Sequence, residues 1–127
     1  MIARDIMTRK VYTISPEASV QEVAQLLSRK SMSGVPVIDK DGKIIGIVTE
    51  ADIIGKVNRE GLRVADIMSP EIIAVDEETG VGEIAMLLTE RKIKRVPVMQ
   101  NGKLVGIVCR ADIVEAVAQG HLIIRHW

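Results

Sequence analysis

Sliding the sequence along itself brings Asp5-Ile6-Met7 onto Asp66-Ile67-Met68 and Val35-Pro36-Val37 onto Val96-Pro97-Val98, both at an offset of 61 residues. After a one-residue deletion near Lys40 the offset becomes 60. Gly42-Lys43-Ile44-Ile45-Gly46-Ile47-Val48 then falls on Gly102-Lys103-Leu104-Val105-Gly106-Ile107-Val108, and Ala51-Asp52-Ile53 on Ala111-Asp112-Ile113. A chain written twice to one plan folds as two copies of one supersecondary unit. The copies run over residues 3–58 and 65–118, with a tail at 119–127. A unit of about 55 residues buries too little apolar surface to be stable alone. The two are therefore expected to pack together about a pseudo-twofold axis, joined through the short polar linker Asn58 to Val64.

Each copy reads as β-α-β-β-α, an α/β (α+β) plan. Val11 to Ile14 is a β-branched run closed by Ser15-Pro16, which predicts a short strand. Val20, Val23, Ala24 and Leu27 recur at i, i+3, i+4 and i+7 behind Ser19-x-x-Glu22, a capping-box spacing that predicts a helix. Val81, Ile84, Ala85 and Leu88 repeat that face, with Gly80 in place of the capping serine. Gly34 to Asp39 and Lys43 to Val48 predict a hairpin turning at Lys40-Asp41-Gly42, and Asn101-Gly102 turns the second copy. Ile44 to Val48 is apolar nearly throughout, the pattern of a strand buried on both faces. A helix from about Ala51 to Val57 closes the unit.

Composition narrows the function. Phe is absent and there are one Tyr and one Trp, so platforms for stacking nucleobases are nearly missing. Lys plus Arg and Asp plus Glu number 17 each, which leaves no net field toward nucleic acid or anionic lipid. Neither nucleic acid nor membrane is an expected partner. A single cysteine, no apolar run of about 18 residues and a charged N-terminal stretch predict a soluble, cytoplasmic protein.

The Asp-Ile-Met start, the Val-Pro-Val strand and Gly46-Ile47-Val48-Thr49-Glu50-Ala51-Asp52, occurring twice in one order, resemble the CBS-domain family over Ala3 to about Ala118. The resemblance implies a domain pair, or Bateman module, with two clefts between the repeats for AMP, ADP, ATP or S-adenosylmethionine-like ligands and no catalytic cofactor. In the family pattern an aspartate grips the ribose hydroxyls and a Thr or Ser meets phosphate; here these are Thr49 with Asp52, and Cys109 with Asp112. A thiol is a weak donor, so Cys109 departs from the pattern. Arg95, with Lys94 beside it, matches a position that reaches phosphate, and its first-copy equivalent is Gly34. Val35 and Pro36, Val96 and Pro97, Thr13 and Ile14, and Ala74 and Val75 fall where the family lines the pocket with backbone and apolar groups. The same Thr-x-x-Asp spacing also describes a plain helix cap with an acidic first turn.

No Ser-His-Asp, Cys-His or paired-carboxylate arrangement emerges, and His121 and His126 are not spaced as metal ligands on one helix face. The expected protein is not an enzyme. It is a sensor of adenosine nucleotides that signals to a partner chain, and it pairs with a second copy through its helices. The alternative is an assembly module whose clefts stay empty. The apolar tail ending at Trp127 packs either on a second subunit or on this chain.

Overall fold

The computed structural model describes residues 1–122; the tail positions from Ile123 to Trp127, His126 among them, lie outside the described residues. In chain order the elements are α1 (Ala3–Ile6), α2 (Val20–Lys30), β1 (Gly34–Ile38), β2 (Ile44–Thr49), α3 (Glu50–Ile54), α4 (Val64–Ile67), β3 (Val75–Asp76), α5 (Val81–Arg91), β4 (Arg95–Gln100), β5 (Lys103–Cys109) and α6 (Arg110–Ala118). No described helix is long and apolar enough to cross a membrane.

The two compact units do not coincide with the two sequence repeats. One is contiguous, Tyr12–Ile72; the other joins Met1–Val11 to the chain from Ile73 onward. The leading Asp-Ile-Met segment of each repeat therefore serves the unit built mainly from the other repeat. In the contiguous unit β1 and β2 pair antiparallel. In the two-segment unit the order is β3-β4-β5, with β3 parallel to β4 and β4 antiparallel to β5.

Both central helices bury most of the stripe that their periodicity predicts, with Val20, Ala24 and Ala85 only half-buried. Val23 and Leu27 of α2, and Val81, Ile84 and Leu88 of α5, are buried. Val23 and Leu27 join Val35, Val37 and Val48 in one core, and Ile84 and Leu88 join Val96, Val98 and Val108 in the other. Each such side chain taken from water contributes roughly 1.5–3 kcal/mol. Ser19 and Glu22 cap α2 reciprocally, at 3.1 Å and 3.3 Å, whereas Gly80 starts α5 with no side-chain cap. Asn101 and Gly102 both take positive φ, 51° and 79°, which is the two-residue turn that this dipeptide favours.

Three expectations need correction. Val11 to Ile14 is not a strand: only Ile14 pairs, by one parallel bridge to Val37. The run straddles the boundary between the units at Val11 and Tyr12, so only its last residue has a sheet neighbour before the Ser15–Ala18 turn. The helix expected to Val57 stops at Ile54, where Gly55 caps it and Asn58 turns to φ 73°. Its counterpart α6, with Glu115 in place of Gly55, continues to Ala118. Finally, β2 is not buried on both faces, because only Gly46 and Val48 are fully buried while its isoleucines are half-buried.

The leading segments close the free strand edges. Thr8 bonds Ile107 in both directions at 2.9 and 3.0 Å, and Ser69 bonds Ile47 likewise at 2.9 Å. The preceding methionines then lie over glycines. A Cβ on Gly106 would stand 2.5 Å from Met7 Sδ, and one on Gly46 would stand 2.7 Å from Met68 Sδ and 2.9 Å from Ser69 O. Gly106→Ala is expected to destabilise by about 1–3 kcal/mol through overpacking. Only a side chain opposes it there, so Met7→Ala in the same chain should offset much of that cost. Met68→Ala should rescue Gly46→Ala less, because the Ser69 carbonyl remains. Double-mutant cycles by chemical denaturation check this, and an additive Gly106/Met7 cycle would contradict it.

Candidate functional site

Each unit carries one strand-to-helix junction at which the predicted polar residues meet. In the contiguous unit Gly34 pairs with Thr49, and Glu50 N–H donates to Ser33 O at 2.9 Å, tying the start of α3 to the start of β1. In the other unit Arg95 pairs with Cys109, and Arg110 N–H donates to Lys94 O at 3.1 Å. The two junctions are the same construction with different side chains.

Asp52 turns back on its own helix start. Its Oδ2 accepts from Thr49 N–H at 2.8 Å and from Thr49 Oγ1 at 3.1 Å, while Asp52 N–H donates to Thr49 Oγ1 at 3.4 Å. Both bonds to the carboxylate fall on Oδ2. The other carboxylate oxygen of this half-buried side chain takes part in neither of these bonds. The cap thus engages one carboxylate oxygen of Asp52 and the single hydroxyl proton of Thr49.

At the second junction Cys109 N–H donates to Asp112 Oδ2 at 2.7 Å, and the thiol makes no cap bond. Burial pushes the Cys109 thiol above its ordinary range, Arg95 pulls it partly back, and Asp112 adds to the rise. A thiol held protonated is neither a nucleophile nor a strong donor near neutral pH.

The remaining predicted residues divide by burial. Val35, Pro36, Val96 and Pro97 are buried, and the two valines are core members, so their side chains serve packing and only their backbone is left to line a site. Ile14 joins β1 at Val37, three residues along from Gly34, with half-buried Thr13 just before it. Val75 is half-buried and pairs with Val98, while Ala74 and Lys94 are exposed. Gly34 is tight: a Cβ there would stand 3.2 Å from Val48 O and 3.4 Å from Thr49 Cγ2. Arg95 fills the equivalent position in the other unit and is half-buried.

Sequence reading missed a groove of about 510 Å³ between α2 and α3, whose walls include Leu27, Ser28, Ser31, Ser33, Glu50 and Ile54 but neither Thr49 nor Asp52. Its only sequence signal is small side chains at Ala24 and Ser28 of α2 and at Ser31, the residue that caps its C-terminus. Among the described residues no cluster of three or more His, Cys, Asp or Glu could hold a metal ion.

Comparisons with known proteins agree with this construction. The sequence pattern of the CBS domain matches residues 3–59 and 64–119. An inosine-5'-monophosphate dehydrogenase of Thermoplasma acidophilum is 34% identical over 110 residues, covering 86% of this chain but 22% of the dehydrogenase. Among solved structures, CBSX2 in complex with AMP is 32% identical with a TM-score of 0.88, covering 95% of this chain and 98% of that one. The CBS domain pair of protein MJ0100, in complex with 5'-methylthioadenosine and S-adenosyl-L-methionine, is 26% identical with a TM-score of 0.84, covering 94% and 98%.

The cap reading makes a prediction independent of any ligand. Asp52→Ala and Asp112→Ala each remove the carboxylate that holds a cap N–H, and each is expected to lower stability by about 1 kcal/mol in ligand-free protein. Thermal unfolding of the two variants checks it, and unchanged melting would show that these carboxylates do not support their helices.

Proposed function

This chain belongs to the CBS-domain family, and we propose that it is a regulatory, non-catalytic module that binds an adenosine-containing ligand at the Thr49–Asp52 and Cys109–Asp112 junctions. The observation that carries the reading is the pair of half-buried aspartates, each engaged through Oδ2 at the start of a helix whose free N–H groups favour an anion. The AMP complex of CBSX2, over nearly the full chain, supports the ligand class. AMP, ADP, ATP and S-adenosylmethionine are the candidates. Thr13, Ile14, Val35, Pro36, Ala74, Val75, Val96 and Pro97 would supply backbone and apolar surface for the adenine. Arg95, with Lys94 beside it, would supply charge for phosphate.

The dehydrogenase relative extends far beyond the matched segment, so its chemistry is not assigned to this chain. The output passes instead to another protein, through a ligand-dependent shift in conformation. A cytoplasmic setting suits a lone, protonated thiol. The module acts as a homodimer joined through its helices. Ile54 and Val57 in one unit, and Met86 and Val114 in the other, are 70%, 66%, 62% and 66% exposed, apolar side chains that a second copy would cover.

The two sites are proposed to be unequal, because Thr49 places a hydroxyl, bonded to Asp52, where Cys109 places a protonated thiol. Calorimetric titration of AMP, ADP, ATP and S-adenosylmethionine into stripped protein is the test. AMP is expected to bind, and Asp52→Ala should weaken it by about 1–3 kcal/mol, more than Asp112→Ala does. Equal losses would remove the asymmetry. Binding of none of the four would favour the assembly-module reading.

A further inference from the structure

Met7 over Gly106 and Met68 over Gly46 are the same device in the two units, and they differ in access to water. Met7 is a buried member of its core, whereas Met68 is half-buried and packs against the other core from outside. Met1 and Met86 are more exposed than either, but neither belongs to or packs on a core. Met68 is therefore a thioether that is both reachable and structurally engaged. An unbranched sulfur side chain suits its seat, because it can lie flat on a residue that has no side chain. The seat is tight: a Cβ on Gly46 would stand 2.7 Å from Met68 Sδ and 2.9 Å from Ser69 O. Ser69 and Ile47 exchange N–H to O bonds at 2.9 Å each. In this two-stranded sheet that isolated bridge is what covers the edge of β2 facing away from β1.

We propose that Met68 is a site of reversible oxidation by peroxide, and that its sulfoxide releases the Met68–Ser69 segment from β2. A sulfur–oxygen bond forms as the peroxide oxygen–oxygen bond breaks; the thioether gives up an electron pair, and the second peroxide oxygen leaves as water. The product is a polar group in a seat built for an apolar one. Directed into the seat, the new oxygen meets the Ser69 carbonyl, an acceptor to which it cannot bond. Directed toward water, it draws the thioether off the glycine. Either way the Ile47–Ser69 bridge loses its neighbour, and the freed edge of β2 presents unpaired N–H and C=O groups. β2 runs on from Gly46 to Thr49, so the loosened edge lies three residues before the Thr49–Asp52 junction. Met7, buried over Gly106, is reached only when its segment opens.

Hydrogen peroxide on the full chain, without added ligand, tests the proposal separately from the ligand reading. Fragment-ion mass spectrometry locates each added oxygen, and Met86→Leu in every sample removes an exposed competitor. Met68 should gain oxygen before Met7 does. Once it has, hydrogen exchange at the Ile47 and Ser69 amides should quicken roughly tenfold or more. The melting temperature should fall by roughly 3–8 °C. Methionine sulfoxide reductases for the two sulfoxide epimers should restore both values. Met68→Leu, a nearly volume-conserving change, should keep its own untreated melting and exchange after peroxide. Sulfoxide at Met68 with unchanged exchange at both amides would overturn the proposal, and that reading needs no variant at position 68. Equal losses in the Met68→Leu protein, or oxidation of Met68 no faster than of Met7, would overturn it too.

Discussion

Short helices need help from their ends. α1, α3 and α4 are four or five residues long, well below the length at which a helix holds itself together in water. In each, an aspartate at the third position bonds back to the N–H of the residue that begins the helix: Asp5 to Ile2 at 2.8 Å, Asp52 to Thr49 at 2.8 Å and Asp66 to Arg63 at 2.7 Å. Asp112 does the same for α6 at 2.7 Å. This one interaction fixes two features at once. It holds the leading segments whose methionines lie over Gly46 and Gly106, and it aims the carboxylates of the two junctions. Loss of a helix start would displace either the strand edge or the site.

The separation of sequence repeat from compact unit follows from the same segments. α4 lies at the end of the contiguous unit, directly following the chain that it packs on, whereas α1 belongs to the unit that resumes at Ile73. One unit therefore closes within a single run of chain and the other requires its N-terminal segment. Arg4 and Glu77 mark that closure, with a guanidinium-to-carboxylate contact of 3.3 Å and Arg4 N–H bonded to Glu77 O at 2.9 Å. The ion pair is partly exposed, so it directs the segment more than it stabilises it.

Much of this was readable in the residues, and the failures have physical causes. The α2 cap, the apolar stripes and the Asn101-Gly102 turn depend on neighbours a few positions away, and periodicity reports such neighbours directly. Val11 to Ile14 has strand composition, yet pairing depends on which unit the chain is in, and the crossing at Tyr12 leaves no signature. The Asp-Ile-Met motif was visible as a repeat but not as a cap and a plug, because its glycine partner lies far along the chain. At the junctions the spacing of Thr49 and Asp52 correctly placed two groups in contact. It could not show that the cap falls on one carboxylate oxygen, Oδ2, alone.

The proposed division of labour within one aspartate, with the cap on one oxygen and a ligand hydroxyl on the other, is the centre of the account, and amide chemical shifts report it directly. In 15N-labelled protein the Thr49 and Cys109 backbone amides are each bonded to the carboxylate proposed to take the ligand hydroxyls. Titration with AMP should move these two resonances together with those of Gly34 and Arg95. Shifts confined to the α2/α3 groove at Ser28, Ser31 and Ile54, with Thr49 and Cys109 unmoved at saturating AMP, would contradict it.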